Sequence, residues 1–385
     1  LKRVAIVGVG HSKFGNRRDV NLPELGFEAA KPAFEDANLT PKDIDFLSVG
    51  TAGGWYEEFL PAVVVSEYLG LSGKGLVRCE AACASGSAAV ATASNMIASG
   101  QADIAMAIGI EKMTEIDVLT AVELIGRAGY YTWEFHNFGM TFPGYYALSA
   151  TQHMKKFGTT EQQLAEVAVK NHKYGSMNPN AHLQQVIKVD DVLSSRMVAW
   201  PLKLYDCCPM SDGAAAAILA SEEKAKSLTD SPVWIEAIGT SSDTANVSKR
   251  SQYTGLRASV IASEKAFKRA NLGPDQIDVA DVHDCFTIAE LLAYEDLGFC
   301  KKGEAGKMID EGQTEIGGKI PVNVDGGLKA KGHPIGATGV SMMYGLTRQL
   351  RQQGGKTQAP IKHGTALAHN VGGTGHYCYV TILRS

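Results

Sequence analysis

The sequence contains no run of about 18 uncharged apolar residues, so no segment reads as a membrane-spanning helix. Basic residues are not in excess: the 385 residues carry a net charge of -4, which leaves no electrostatic footprint for nucleic acid. The seven cysteines include no CxxC pair, so no zinc ribbon and no metal site is expected. Gly8-Val9-Gly10 begins like a dinucleotide-binding loop, but Lys13 stands where the third glycine belongs. No acidic residue closes a second strand at the right distance, which argues against nicotinamide or flavin. The opening stretch Leu1 to Gly8 is too short and too glycine-interrupted for a secretory leader. Leu383-Arg384-Ser385 is not a peroxisomal address. The expectation is a cytoplasmic protein with reduced thiols.

What is present is an ordinary globular composition, 45% hydrophobic and 20% charged. The length favours two domains or one two-lobed unit. The 41 glycines follow no period and should mark turns and close backbone approaches.

An internal repeat organises the chain. Ala33, Phe34, Ala37, Asn38, Leu39, Pro41, Ile44 and Asp45 recur in register as Ala266, Phe267, Ala270, Asn271, Leu272, Pro274, Ile277 and Asp278. Each copy reads as the end of an amphipathic helix, a proline turn and a strand. A strand precedes each copy, and later Cys83-Ala-Ser-Gly and His333-Pro-Ile-Gly each open a helical run. Two such halves predict paired α/β units with mixed sheets, whose pseudo-twofold brings Cys83 and His333 to one cleft. The expected boundaries are 1–115 with 200–230 for the first half, 116–199 for an insertion and 231–385 for the second half. The insertion is rich in aromatics, among them Trp133, Phe135 and Phe142. It reads either as a helical subdomain with its own satellite core or as a lid over an elongated ligand.

Four features carry chemistry. Cys83 lies between a strand and an Ala-rich helix, where unpaired N–H groups and the helix dipole favour a thiolate. His333 lies in a glycine-flanked helix start, with Pro334 suited to the first turn. His283 and Cys285, two apart after a short strand, can point into the same cleft. His369-Asn370-Val371-Gly372-Gly373 offers backbone N–H groups to an oxyanion. The vicinal pair Cys207-Cys208 reads as a buried loop thiol and its neighbour.

With these motifs the chain resembles the thiolase superfamily from end to end. Cys83-Ala-Ser-Gly is similar to the nucleophile loop, and Gly332-His333-Pro334 followed by Gly-Ala-Thr-Gly is similar to the third motif. His283-Asp-Cys-Phe resembles the second motif of sterol-carrier-protein-type thiolases. Phe142-Pro-Gly-Tyr-Tyr-Ala and Ser211-Asp-Gly-Ala-Ala resemble the insertion and the strand after it. Two departures matter. Most thiolases have Asn-Glu-Ala-Phe at the second motif, and most carry a second cysteine where His369 stands here, with Val371 at the following glycine. In sterol-carrier-type relatives the cysteine of the second motif supplies that thiol, which points to Cys285. The combination also resembles archaeal acetoacetyl-CoA thiolases.

The resemblance implies a layered αβαβα thiolase fold and acyl transfer between coenzyme A thioesters, with no permanently bound cofactor. It implies Cys83 as nucleophile, His333 as its proton partner and oxyanion donor, Cys285 as acid/base and His283 as a polarising group. The N–H groups of Cys83 and of Val371, Gly372 and Gly373 would hold the other oxyanion, and His369 would tune Cys83 or Cys285. Trp133, Phe135 and Phe142 would shield the pantetheine arm and cap the acyl pocket. The implied partners are acetyl-CoA, CoA and acetoacetyl-CoA, and a homodimer or dimer of dimers. A complex with a hydroxymethylglutaryl-CoA synthase, bridged by a small OB-fold and zinc-ribbon protein, is a further expectation, in a mevalonate and isoprenoid route. Competing readings are a longer-chain thiolase, a condensing enzyme of the ketoacyl or hydroxymethylglutaryl-CoA synthase type, and a non-catalytic acyl-CoA-binding scaffold.

Overall fold

Apolar strands alternate with amphipathic helices twice along the chain, which the structure, a computed structural model, describes for residues 2–385. The first half runs β1 (Val4–His11), α1 (Leu22–Ala37), β2 (Phe46–Gly50), α2 (Pro61–Tyr68), β3 (Gly75–Cys79), α3 (Ser85–Ala98) and β4 (Ile104–Glu111). An inserted stretch then carries α4 (Val118–Gly126), α5 (Phe142–Phe157), α6 (Glu161–Gly175), α7 (Val189–Ser194) and a hairpin of β5 (Met197–Ala199) and β6 (Leu202–Lys203). β7 (Gly213–Ser221) and α8 (Glu222–Leu228) follow. The second half runs β8 (Val233–Ser242), α9 (Arg257–Ala270), β9 (Val279–Val282), α10 (Thr287–Asp296), α11 (Ala305–Asp310), α12 (Thr338–Leu350), β10 (Thr365–Gly372) and β11 (Tyr377–Arg384).

The repeated segment folds alike in both copies. α1 and α9 each end on an asparagine in the left-handed conformation, Asn38 at φ 51° and Asn271 at φ 54°, a conformation asparagine tolerates better than most residues. The proline that follows opens a single 3-10 turn in each copy, and the chain then enters β2 or β9. Each helix lies unusually close to the strand before it. A Cβ on Gly10 would sit 2.0 Å from Ala29 O, and one on Gly239 would sit 2.0 Å from Ala262 O, so only glycine allows this contact.

The strand order is β3-β2-β4-β7-β1-β8-β11-β10-β9. Within the first half β2 pairs parallel with β3 and β4, and β7 runs antiparallel to β4 and β1. The second half repeats this pattern: β9 with β10 parallel, β11 antiparallel to β10 and β8. A parallel bridge from Ala280 to Val322 stands where the fifth strand would be. The repeat predicts two sheets; the structure joins them edge to edge, through Ala5 with Trp234 and Ile6 with Val233.

α3 and α12 pack against each other at the centre, and α12 touches sheet strands of both halves. α1 and α9 cover the outer faces. β4 and β7 are buried along their whole length, which is why they read as continuous apolar runs. The insertion is not a separate subdomain. Phe142, Tyr146, Leu164 and Tyr174 of α5 and α6 belong to the main core, Ala121 of α4 clusters with Trp55 and Met113 of the first half, and a small cluster around Ala165, Ile187 and Val192 stands apart. The stacked pair Tyr146–Phe286, with ring centroids 4.7 Å apart, ties the insertion to the second half. Such pairs are worth about 0.5–1.5 kcal/mol beyond their buried area. No described helix is long and apolar enough to cross a membrane.

Candidate active site

The chain turns sharply between β3 and α3. Ala82 takes φ 50°, a strained value for a residue with a side chain, and it sits directly before Cys83. Ser85 Oγ holds the turn, accepting Ala81 N–H at 2.9 Å and donating to Ala82 O at 2.7 Å. The turn delivers Cys83 into a cavity of about 720 Å³, whose lining also includes Cys285, His333, Phe142, Cys207 and Cys208.

Cys83 Sγ and one ring nitrogen each of His283 and His333 all lie within 4.8 Å of one another. A thiophilic cation could use this donor set, although the resemblance implies none. The two imidazoles meet edge to face, with centroids 5.1 Å apart. Both Nε2 atoms are buried without a hydrogen-bond partner, an unusual state that suits atoms awaiting substrate. His333 Nδ1 is held by Thr338 Oγ1 at 2.7 Å, and His283 Nδ1 faces the amide of Asn370 at 3.3 Å. Burial pushes His333 down to about 3 and His283 well below the usual histidine range, the latter helped by its neighbours His333 and His369. Both rings are therefore neutral.

The expected thiolate at Cys83 is not found. α3 starts two residues later, and burial outweighs the helix terminus, pushing the thiol up to about 12. The Gly373 N–H, directed at this sulfur, works the other way but is weaker. Cys83 therefore rests as a thiol beside a neutral imidazole with a free nitrogen.

Cys285 is 1% exposed. Burial and then Cys208 push its thiol well up, while a hydrogen bond from the Tyr146 hydroxyl opposes this. Its loop is held by a buried polar network. The Asp284 carboxylate accepts Leu328 N–H at 2.6 Å, Lys329 N–H at 3.1 Å and Asn171 Nδ2 at 2.7 Å. Asn171 also donates to Glu290, which pairs with Lys170 at 2.6 Å. The vicinal pair has a place in this arrangement, since Cys208 N–H bonds Cys285 O at 3.0 Å and both cysteines line the cavity.

Several expectations are corrected. His369 does not reach Cys83 or Cys285: its Nε2 bonds Ser259 Oγ at 2.8 Å, behind His283. Val371 and Gly372 belong to β10, so the turn of this segment starts at Gly373. α12 begins at Thr338, so Pro334 lies in a turn ahead of the helix and not in its first turn. Of the three aromatics only Phe142 lines the cavity. Trp133 is 49% exposed and packs on Phe138. Phe135 fills the slot left by Gly126, where a Cβ would meet its ring at 2.1 Å.

The motif reading missed Tyr146, Thr338, Asn370 and Cys208 as site residues. Thr338 and Asn370 lie inside quoted motifs, yet their partners come from other elements, which no local pattern reveals.

A buried thiol and an imidazole meeting at the centre of a duplicated α/β fold are the parts of a nucleophilic acyl-transfer site. The thiolase N-terminal domain family matches residues 4–223, and the thiolase C-terminal domain-like family matches residues 239–385. The chain belongs to the thiolase family and is an acyltransferase of the thiolase type. It is 43% identical over 377 residues to the acetyl-CoA acetyltransferase of Methanothermobacter thermautotrophicus, covering 97% of each chain. It is 34% identical to human sterol carrier protein 2, covering 97% of this chain and 70% of that one. Among solved structures it is similar to the Ltp2-ChsH2(DUF35) aldolase, with TM-score 0.86, 27% identity and coverage of 100% and 98%.

Proposed function

We propose that the protein is an acetyl-CoA C-acetyltransferase that condenses two acetyl-CoA molecules through an acetyl-Cys83 enzyme. The observation that carries this reading is the convergence of Cys83, His283 and His333 within 4.8 Å, beside a cavity that Cys285 shares. Cys83 Sγ attacks the thioester carbon as His333 Nε2 takes its proton, so charge separates only as the bond forms. The N–H of Gly373, with that of Cys83, faces the developing oxyanion, His333 keeps the Cys83 proton, and CoA leaves as a thiolate that takes the thiol proton of Cys285. The Cys285 thiolate left by that transfer then removes an α-proton from the second acetyl-CoA, while protonated His333 and the Nε2–H of His283 stabilise the enolate oxygen. The enolate carbon attacks acetyl-Cys83, and acetoacetyl-CoA is released as the Cys83 sulfur takes its proton back from His333.

Incubation with labelled acetyl-CoA and peptide mapping tests the reading: label is expected on Cys83, and label on Cys285 or Cys79 would overturn it. Cleavage of acetoacetyl-CoA by free CoA separates a thiolase from a synthase, which lacks it. Exchange of acetyl-CoA α-protons separates either from a scaffold. A longer-chain substrate is the second reading, favoured by the size of the cavity and by its apolar wall of Leu124, Ile125, Met210 and Ile335. The acyl chain-length profile decides between them.

The reading extends to a cytoplasmic homodimer or dimer of dimers, with β3 as the half-exposed sheet edge. Condensation of two acetyl-CoA is uphill, so transfer of product to a hydroxymethylglutaryl-CoA synthase in an isoprenoid route would pull it forward. A small OB-fold and zinc-ribbon protein would bridge the two. The similarity to the Ltp2-ChsH2(DUF35) aldolase supports association with a second protein. A native mass that is a multiple of this chain alone, from its own cells, would rule it out.

A further inference from the structure

The two site histidines are held by partners of different chemistry. His333 Nδ1 lies 2.7 Å from Thr338 Oγ1, and that hydroxyl lies 3.0 Å from Pro334 O, which already accepts Ala337 N–H. A hydroxyl can donate or accept, so it serves either tautomer of His333. His283 Nδ1 instead faces the side-chain amide nitrogen of Asn370 at 3.3 Å. Chemistry decides which way that amide points. Its nitrogen is 3.1 Å from Cys83 O, which can only accept, and its oxygen takes the Ser87 hydroxyl at 2.9 Å. An amide NH2 has no acceptor to offer. His283 Nδ1 must therefore be the bare nitrogen, and the ring proton resides on Nε2. That Nε2 is buried, has no partner and belongs to the ring edge-on to His333.

Room for this arrangement is built into the crossing of α3 and α12. A Cβ on Gly339 would come within 2.4 Å of Ser87 Oγ and 2.6 Å of Asn370 Oδ1, so a side chain there would push the pair apart.

We propose that Asn370 is a positioning residue that locks His283 as a one-way Nε2–H donor toward the reacting thioester oxygen, while His333, held by a hydroxyl, is free to take and return the Cys83 proton. The proposal deepens the thiolase reading and rests on it for the identity of the oxygen; the tautomer of His283 does not depend on it.

Nitrogen-15 histidine spectra test the lock directly, with the His283 signals identified by their loss in His283→Gln. The wild-type ring is expected to carry its proton on Nε2 and none on Nδ1. In Asn370→Asp the new acceptor should place a proton on Nδ1, and turnover in condensation should fall about a hundredfold or more, as for loss of an oxyanion donor, with far less change in KM. Asn370→Ala, a milder change, should replace the single tautomer by an exchanging mixture. His283→Gln, whose amide N–H can stand in for Nε2–H, should retain more turnover than His283→Ala, whereas His333→Gln should show no such rescue over His333→Ala. A wild-type His283 protonated on Nδ1, or an Asn370→Ala enzyme with the wild-type tautomer, would overturn the proposal. A locked tautomer in an enzyme that never acetylates Cys83 would instead overturn the thiolase reading and leave the lock standing.

Discussion

The two halves share one topology and use it differently. After β2 the first half places Thr51, Ala52 and Gly53, whose hydroxyl and N–H groups all bond to the buried carboxylate of Glu111. After β9, the equivalent strand, the second half places His283, Asp284 and Cys285. Ala52 and Gly53 of the first loop line the cavity without offering a titratable group; the second loop brings Cys285 to the cavity wall and a His283 ring nitrogen within 4.8 Å of Cys83 Sγ, while Asp284 anchors it. At the centre, the segment before α3 supplies a nucleophile and the segment before α12 supplies its proton acceptor. Duplication sets where groups meet, and the residue types at those places set their roles.

The largest expected effect is on the first half's one reacting group. Cys83→Ala should lose covalent acetyl transfer and at least about a thousandfold in turnover, with an unchanged fold by circular dichroism. An acetylated Cys83→Ala enzyme would move the nucleophile to the other half.

Cys285→Ala should separate the halves' tasks. Acetyl transfer to Cys83 should persist, measured as a burst of free CoA, while condensation and thiolysis fall about a hundredfold or more. Near wild-type turnover would hand the acid/base role to another group.

The shared packing is tested by Gly10→Ala and Gly239→Ala. Each puts a methyl 2.0 Å from a carbonyl oxygen, so each should cost about 1–3 kcal/mol in denaturant unfolding. A harmless substitution in one half only would show that the duplicated contact is not equivalent.

The insertion belongs to neither repeat. Phe142→Ala should raise activity on longer 3-ketoacyl-CoA relative to acetoacetyl-CoA, whereas Trp133→Ala should leave the chain-length profile alone, since only Phe142 lines the cavity.

The smallest effect concerns His369, buried behind the second half's loop and pushed down to about 3 by burial. The unfolded chain binds a proton there near pH 6.5, and the folded protein does not until about pH 3. The stability due to a neutral His369 is therefore complete above pH 6.5 and is lost as pH falls toward 3, by about 1.4 kcal/mol per unit. His369→Gln should consequently lose about 2 kcal/mol less than wild type between pH 8 and 5, read from denaturant midpoints. Equal losses would show that the ring is already protonated or exposed.

Much of the fold was legible because the repeat is local. Helix, asparagine cap, proline turn and strand are encoded within thirteen consecutive residues of each copy, so Asn38 and Asn271 could be aligned without knowing any contact. The four reactive segments were legible for the same reason, since each is a short motif at a strand end. Burial was not. The helix start at Cys83 argues for a thiolate, and only the enclosing cavity reverses that. The aromatic run in the insertion was visible as composition, yet Phe135 goes to the slot at Gly126 while Phe142 goes to the cavity, a choice made by packing.

The sequence by itself determined the duplicated architecture, the candidate nucleophile and the two histidines around it, because these depend on residue types at short spacings. Tertiary structure alone decided the protonation of the site. Whether a ring nitrogen carries its proton depends on the group facing its other nitrogen, and Asn370 is 87 residues from His283 along the chain. Ser87, which orients that amide, is 283 residues away again. Hydrogen-bond direction over such separations is set by which surfaces the fold brings together, and no local pattern encodes it.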